Sequence, residues 1–310
     1  MTGETLHDYR LFGLRVRSEF PLPELHSAGE ICEADVVIRS GEIAGGSHAV
    51  GLHSFGDGAL LVIPDVGRYA IRDGREVVVE ASAGAPPRNC RLYLLGSAFG
   101  VLLQQRRLLP LHANAVQVGE MAIAIVGPSG AGKSTLAMAF HDRGYRVIAD
   151  DITVVRNDDG APASVAPGLP RFRLWQEALS AAGRGQHGYE RSFVGADDFD
   201  KYDVPIGAEA TVDRDTPLAA IYVLDEGAQP AFEPLSGVAA VEQLFANTYR
   251  GQYIALSGTQ RDHWASVMRL VGEVPVFRFR RPLGFDRLEE GRVALSDHAR
   301  ALAQREAGQR

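Results

Sequence analysis

The stretch MAIAIVGPSGAGKSTLAMAFHDRGYRVIADD, residues 121–151, decides how the chain is read. Met121 to Val126 is a short apolar run without alternation, the pattern of a strand buried on both faces. It leads directly into Gly127-Pro-Ser-Gly-Ala-Gly-Lys-Ser-Thr135, which satisfies G-x-x-x-x-G-K-[ST], and Leu136 to His141 has helical composition. Strand, glycine loop and helix in that order make a nucleotide-phosphate site. Gly127, Gly130 and Gly132, with Ser129 and Ala131 between them, free the backbone to bring its N–H groups up to phosphate oxygens. The helix beginning near Lys133 points the positive end of its dipole at the same anion. Lys133 reaches the terminal phosphates as a compact charge, Ser134 offers a hydroxyl to Mg²⁺, and Thr135 is a weaker substitute for it.

Arg146 to Ala149 reads as a second short strand, ending in Asp150 and Asp151. Open α/β sheets place their chemistry at the carboxyl ends of strands, beside such a loop. Neighbouring side chains on an extended segment point opposite ways, so a kink is required if both acids are to face the phosphates. One carboxylate would then hold Mg²⁺ and the other would accept a proton from an attacking hydroxyl.

Composition narrows the classes. The chain has 310 residues, 45% hydrophobic and 23% charged, enough for a globular protein with a substantial core. A formal net charge of -7 argues against nucleic acid as a partner. No run approaches the length of a membrane span, and the amino terminus lacks the basic-then-apolar pattern of a secretory signal; a cytoplasmic protein is expected. Cys32 and Cys90 form no metal or redox motif and read as reduced thiols. Of 32 basic residues only two, Lys133 and Lys201, are lysines. Where arginine is otherwise the rule, a retained lysine suggests a need for a small, flexible charge, and this singles out Lys201.

Residues 1–88 read as a small β-rich domain, with Asp73-Gly74 as a hairpin turn and Gly41 to Gly58 as a loop. Residues 89–310 read as the catalytic domain. It opens with a helix from Cys90 to Arg107, and a strand from Leu111 to Val118 carries His112, Asn114 and Val116 on one face. Val165 to Gln176 reads as irregular; its Arg171 and Arg173 are candidates for gripping a phosphate or carboxylate. The polar segment 181–200, with its acids Asp197 to Asp200, reads as a substrate loop ending at Lys201.

These motifs together resemble the carboxy-terminal catalytic domain of HPr kinase/phosphorylase. That family has a His-bearing strand, a P-loop of the G-x-S-G-x-G-K-S type, and then an R-G-(H/Y)-R-(L/V)-(V/I)-A-D-D segment. This chain has Leu111-His112, GPSGAGKS, and Arg143-Gly144-Tyr145-Arg146-Val147-Ile148-Ala149-Asp150-Asp151 in the same order. The resemblance implies an α/β fold with a P-loop kinase domain and ATP- and Mg²⁺-dependent phosphorylation of a serine hydroxyl in a peptide or protein. It also implies assembly into a homo-oligomer. Asp150 and Asp151 would supply base and metal-ligand functions, Lys133 and Ser134 would hold phosphate and metal, and His112 would lie near the phosphates; Ser134 and Asp151 are the expected metal ligands.

That family's later L-E-I-R-G-x-G signature has no counterpart here. Pro167 to Trp175 occupies the corresponding region, so the family's own acceptor does not carry over. The opening Tyr9-Arg-Leu-Phe-Gly-Leu14 and Ser18-Glu-Phe-Pro-Leu-Pro-Glu24, with Lys201-Tyr202, instead resemble the HPr-kinase-like enzymes encoded beside lasso-peptide biosynthesis genes. Those phosphorylate a serine at the carboxy terminus of a precursor peptide. A small-molecule kinase fits the same motifs, because acceptor choice resides in loops. A nucleotide-binding regulatory module with little turnover is the remaining alternative, against which an intact Lys133, Ser134 and acid pair weigh.

Overall fold

The computed structural model describes residues 6–158, 160–185, 188–195 and 200–307, with side chains as far as residue 304. Its amino-terminal part is a seven-stranded sheet. The strands are His7–Leu11, Leu14–Ser18, Val36–Ser40, Gly51–Phe55, Gly58–Ile63, Gly67–Arg72 and Glu76–Ala81. They follow the apolar and β-branched runs of the sequence. Asp73 and Gly74 both take positive φ, 52° and 61°, in the three-residue turn, 73–75, that joins the last two strands; Gly74 takes the left-handed backbone without strain. The glycine-rich stretch read as a loop contributes the edge strand Gly51–Phe55 instead, paired with Gly58–Ile63 around a turn. Its alternation is too weak to show in the sequence, because an edge strand buries little of either face.

A helix packs across this sheet: Pro87–Tyr93, a π-helical turn at Leu94–Ala98, then Phe99–Gln105. Leu94, Leu95, Phe99, Leu102 and Leu103 are buried against Leu61, Tyr69, Ile71 and Val77 of the strands. The same core takes in Ile152, Val154, Ala166 and Tyr249 from the second half of the chain.

That second half is built on a nine-stranded mixed sheet. At its centre lies Met121–Val126, antiparallel to Ala113–Val118 and parallel to Thr216–Glu226. Val147–Ala149 forms one edge beside Ala113–Val118, and Val276–Arg281 pairs in parallel with Thr216–Glu226. The central strand is buried on both faces, which explains its unbroken apolar run. Ala122, Ala124 and Val126 pack toward the helices Gly237–Ala246 and Gln260–Glu273 through Ala240, Leu244, Val267 and Leu270. Ile123 and Ile125 pack on the other side against Leu136 and Phe140 of the helix Lys133–His141, and against Leu295 of the helix Leu288–Ala307.

The segment read as irregular is ordered into strands. Ser164–Ala166 joins the large sheet, and Arg171–Trp175 pairs with Lys201–Pro205 in a small three-stranded sheet. Its prolines and Gly168 fall between these two strands, where they interrupt no ladder. No helix of the described residues is long and apolar enough to cross a membrane.

Candidate active site

The P-loop leaves the central strand and wraps the start of the helix Lys133–His141. Gly130 and Gly132 take φ values of 85° and 82°, open to glycine and strained for other residues. Gly127 lies behind the loop, where its N–H donates to Asn247 Oδ1 at 2.9 Å. Ser129 to Thr135 line a cleft of about 280 Å³ together with His112, Asp150, Asp151, Arg173, Trp175, Lys201 and Arg281. Lys133 folds back so that Nζ donates to the carbonyls of Gly127 at 2.7 Å and Pro128 at 3.1 Å. Burial pushes its ammonium down to about 8, against the pull of Asp151 and Asp150.

The kink that the acid pair requires is present. Asp151 sits at φ 69° in a three-residue turn closed by Ile152 N–H on the Asp150 carbonyl at 2.8 Å. A non-glycine residue in this region costs about 1–3 kcal/mol, and such strain gathers at functional sites. The turn brings both carboxylates to the cleft with different surroundings. Asp150 is 1% exposed; it accepts from Asn114 Nδ2 and, at 2.9 Å, from the backbone N–H of Arg173. Asn114 Nδ2 also reaches Ser134 Oγ at 3.4 Å, so Asp150 is the acid on the Ser134 side. Asp151 pairs with Arg173 Nη1 at 2.9 Å and with His112 Nδ1 at 3.2 Å. His112 Nδ1 also lies 3.1 Å from the Asp151 carbonyl. Both partners are acceptors, so Nδ1 carries the ring proton.

These surroundings drive the two acids apart. Burial, and then the charge of Asp151, push the Asp150 carboxyl up. Burial also raises Asp151, but the hydrogen bond from His112 and the Arg173 guanidinium outweigh it and hold that carboxyl well below the usual range. Two adjacent acids with opposite shifts are the arrangement that separates acid and base roles.

The strand Arg171–Trp175 sets Arg171 and Arg173, two residues apart, on one face, where both guanidinium groups reach Asp203. Arg173 faces the acids. Arg171 does not line the cleft; it is buried with Nη1 3.2 Å from Asp203 Oδ1. Lys201 does line it, with Nζ 4.7 Å from the centre of the Trp175 ring. Of the segment read as a substrate loop, residues 186, 187 and 196–199, including Asp197 and Asp198, lie outside the described residues. Gly168 supports the acids from beneath. A Cβ there would lie 2.8 Å from Ala149 Cβ and 3.1 Å from its Cα, and neither neighbour is a flexible side-chain end. Gly168→Ala is expected to cost about 1–3 kcal/mol of stability by overpacking, measured by denaturant unfolding, and to lower any turnover by displacing Asp150.

Two HPr kinase/phosphorylases of Clostridium botulinum, from strains Eklund 17B and Alaska E43, are each 40% identical to this chain over 57 residues. That match covers 18% of this chain and 19% of each relative, so the chain matches about a fifth of the length of these curated relatives. The matched segment is HPr kinase-like. Among solved structures, an Hpr(Ser) kinase/phosphatase from Coxiella burnetii aligns with 64% of this chain and 96% of its own, at TM-score 0.36 and 14% identity. No protein-family model matches the chain.

Around this cleft stand residues that the motifs do not announce. Asn114 was placed on the His112 face by alternation, but nothing in its spacing marks it as a partner of Asp150. Asn247 and Arg281 come from distant parts of the chain and carry no local pattern. A break in the strand at His112, whose N–H donates to the Asn247 carbonyl at 2.6 Å, also escapes alternation.

Proposed function

We propose that this chain is an ATP- and Mg²⁺-dependent kinase that phosphorylates a serine hydroxyl of a peptide or protein, with the carboxy-terminal serine of a lasso precursor peptide as acceptor. The observation that carries the reading is the pair of neighbouring carboxylates at the mouth of the P-loop, forced apart in proton affinity and braced by His112 and Arg173. A module that only bound nucleotide would have no use for so strained and costly an arrangement.

The donor set fits Mg²⁺. Ser134 Oγ, the Asp150 carboxylate and Asn114 Oδ1, which is buried without a hydrogen-bond partner, are all hard oxygens. Among the described residues no group of three His, Cys, Asp or Glu side chains could hold a metal. That suits an ion held by few carboxylates and by substrate phosphates. Sequence alone pairs Ser134 with Asp151; the contacts favour Ser134 with Asp150. Mg²⁺ there would neutralise charge on the β- and γ-phosphates. Lys133 exchanges its carbonyl partners for phosphate oxygens. Asp151, oriented by His112 and Arg173, accepts the serine proton as the serine oxygen bonds to the γ-phosphorus and the bond from that phosphorus to the β–γ bridging oxygen breaks, releasing ADP.

The test is transfer of label from γ-labelled ATP with Mg²⁺ to a peptide ending in serine, against the same peptide ending in alanine. Label in the serine peptide alone supports the reading. Label released only as inorganic phosphate, or entering both peptides equally, rejects it.

A further inference from the structure

Arg281 ends the strand Val276–Arg281 at the cleft and is 4% exposed. Its Nη2 donates to the Ala131 carbonyl at 3.0 Å and its Nη1 to the Pro282 carbonyl at 3.2 Å, while Nε has no partner. Among the described residues no carboxylate forms an ion pair with it, and burial alone depresses its guanidinium. A buried cation without a counter-charge is expensive, and a protein that keeps one in a cleft built for a polyanion holds it for an anion that arrives.

Its position indicates which part of the anion. Among the described residues Arg281 makes no ion pair or hydrogen bond to Asp150 or Asp151; its guanidinium contacts the loop at Ala131 instead. It is packed against the loop at Gly132, where a Cβ would lie 2.6 Å from Nη2. Beyond it the cleft wall turns apolar through Leu283, Phe285 and Leu288. Leu283 and Phe285 are 51% and 47% exposed, a large apolar surface beside a buried charge.

We infer that Arg281 binds the phosphates on the nucleoside side of the triphosphate, away from the acid pair, and that Leu283, Phe285 and Leu288 form the wall on which the nucleobase lies. The inference rests on the kinase reading for the presence of a nucleotide, and it adds a subsite that the P-loop motif does not supply. On binding, Arg281 exchanges its contact with the neutral Ala131 carbonyl for a charge-assisted bond to phosphate oxygen.

Calorimetric titration with ATP, ADP and tripolyphosphate, each with Mg²⁺, tests this on the full chain. Arg281→Met is expected to weaken ATP and ADP by at least about tenfold, the loss of a charge-assisted contact. Its melting temperature without nucleotide should stay at or above that of the wild type, because an unpaired buried charge is gone. Phe285→Ala is expected to weaken ATP by at least about threefold while leaving tripolyphosphate unchanged. Wild-type ATP affinity in a folded Arg281→Met protein overturns the inference and leaves the kinase reading standing. So does a lowered melting temperature with unaltered ATP affinity, which would make Arg281 a brace of the loop. If Arg281→Met does not fold, Arg281→Gln and Phe285→Ala decide: equal effects of Phe285→Ala on ATP and tripolyphosphate overturn the base wall, and wild-type affinity of Arg281→Gln for ATP and ADP overturns the phosphate contact. A wild type that binds no nucleotide overturns both readings.

Discussion

Asp150→Asn should lower phosphoryl transfer by about 10²–10³-fold, the scale of losing one preorganised group at a centre of developing charge. It should do so without unfolding the protein. Asp150 is almost wholly buried next to a second carboxylate, and its charge is disfavoured there. The amide keeps the volume and still accepts from Asn114 through its oxygen. Its other end meets the Arg173 N–H as donor to donor, a loss of about 1 kcal/mol that relief of the repulsion offsets. Linkage gives a second signature. A carboxyl raised in the fold binds protons more tightly folded than unfolded, so wild-type stability falls as pH rises from its ordinary value of 3.8 through its raised value. Asp150→Asn should lack that fall. Label transfer and denaturant unfolding across this pH range check both parts; a variant with wild-type turnover would remove Asp150 from the chemistry.

Arg173→Met should unfold more easily by about 3–5 kcal/mol, the effect of removing one partner from buried ion pairs. Arg173 stands between the partly buried Asp151 and the buried Asp203, with Nη1 2.9 Å from the first and Nε 3.5 Å from the second. Asp203 retains Arg88 at 3.0 Å and Arg171 at 3.2 Å. Asp151 keeps His112 at 3.2 Å but loses its closest cation, so its low proton affinity should rise. Turnover should fall as well, because the acceptor of the serine proton is no longer held. Chemical denaturation beside label transfer measures both, and a variant within 1 kcal/mol of wild type would show that the pairs contribute little.

The P-loop and the acid pair were legible because each is local. Glycines at fixed offsets, a lysine, a hydroxyl and an apolar strand declare a phosphate site within a few residues, and Asp150-Asp151 follows at the end of the next strand. Even the bend at Asp151 could be argued from side-chain alternation before its φ was known. Arg171 and Arg173 could be named but not separated, since residues two apart share a strand face, and only tertiary contacts give Asp151 to Arg173 and leave Arg171 on Asp203. Two prolines and Gly168 concealed that strand. Lys201 emerged through composition, and its place on the cleft follows from pairing with Trp175 across two strands. Asn114, Asn247 and Arg281 stayed hidden because their roles depend on contacts across 36, 120 and 150 positions of chain, which no local period encodes.

Asn247 joins two parts of the site that are far apart in sequence. Its side-chain oxygen receives the N–H of Gly127, and its backbone oxygen receives that of His112. One residue therefore gauges the distance between the entrance of the phosphate loop and the imidazole. Sequence drift elsewhere cannot slide one against the other without breaking a bond at this shared post. New acceptor preferences would have to be acquired in the flanking loops, with the interior frame inherited unchanged.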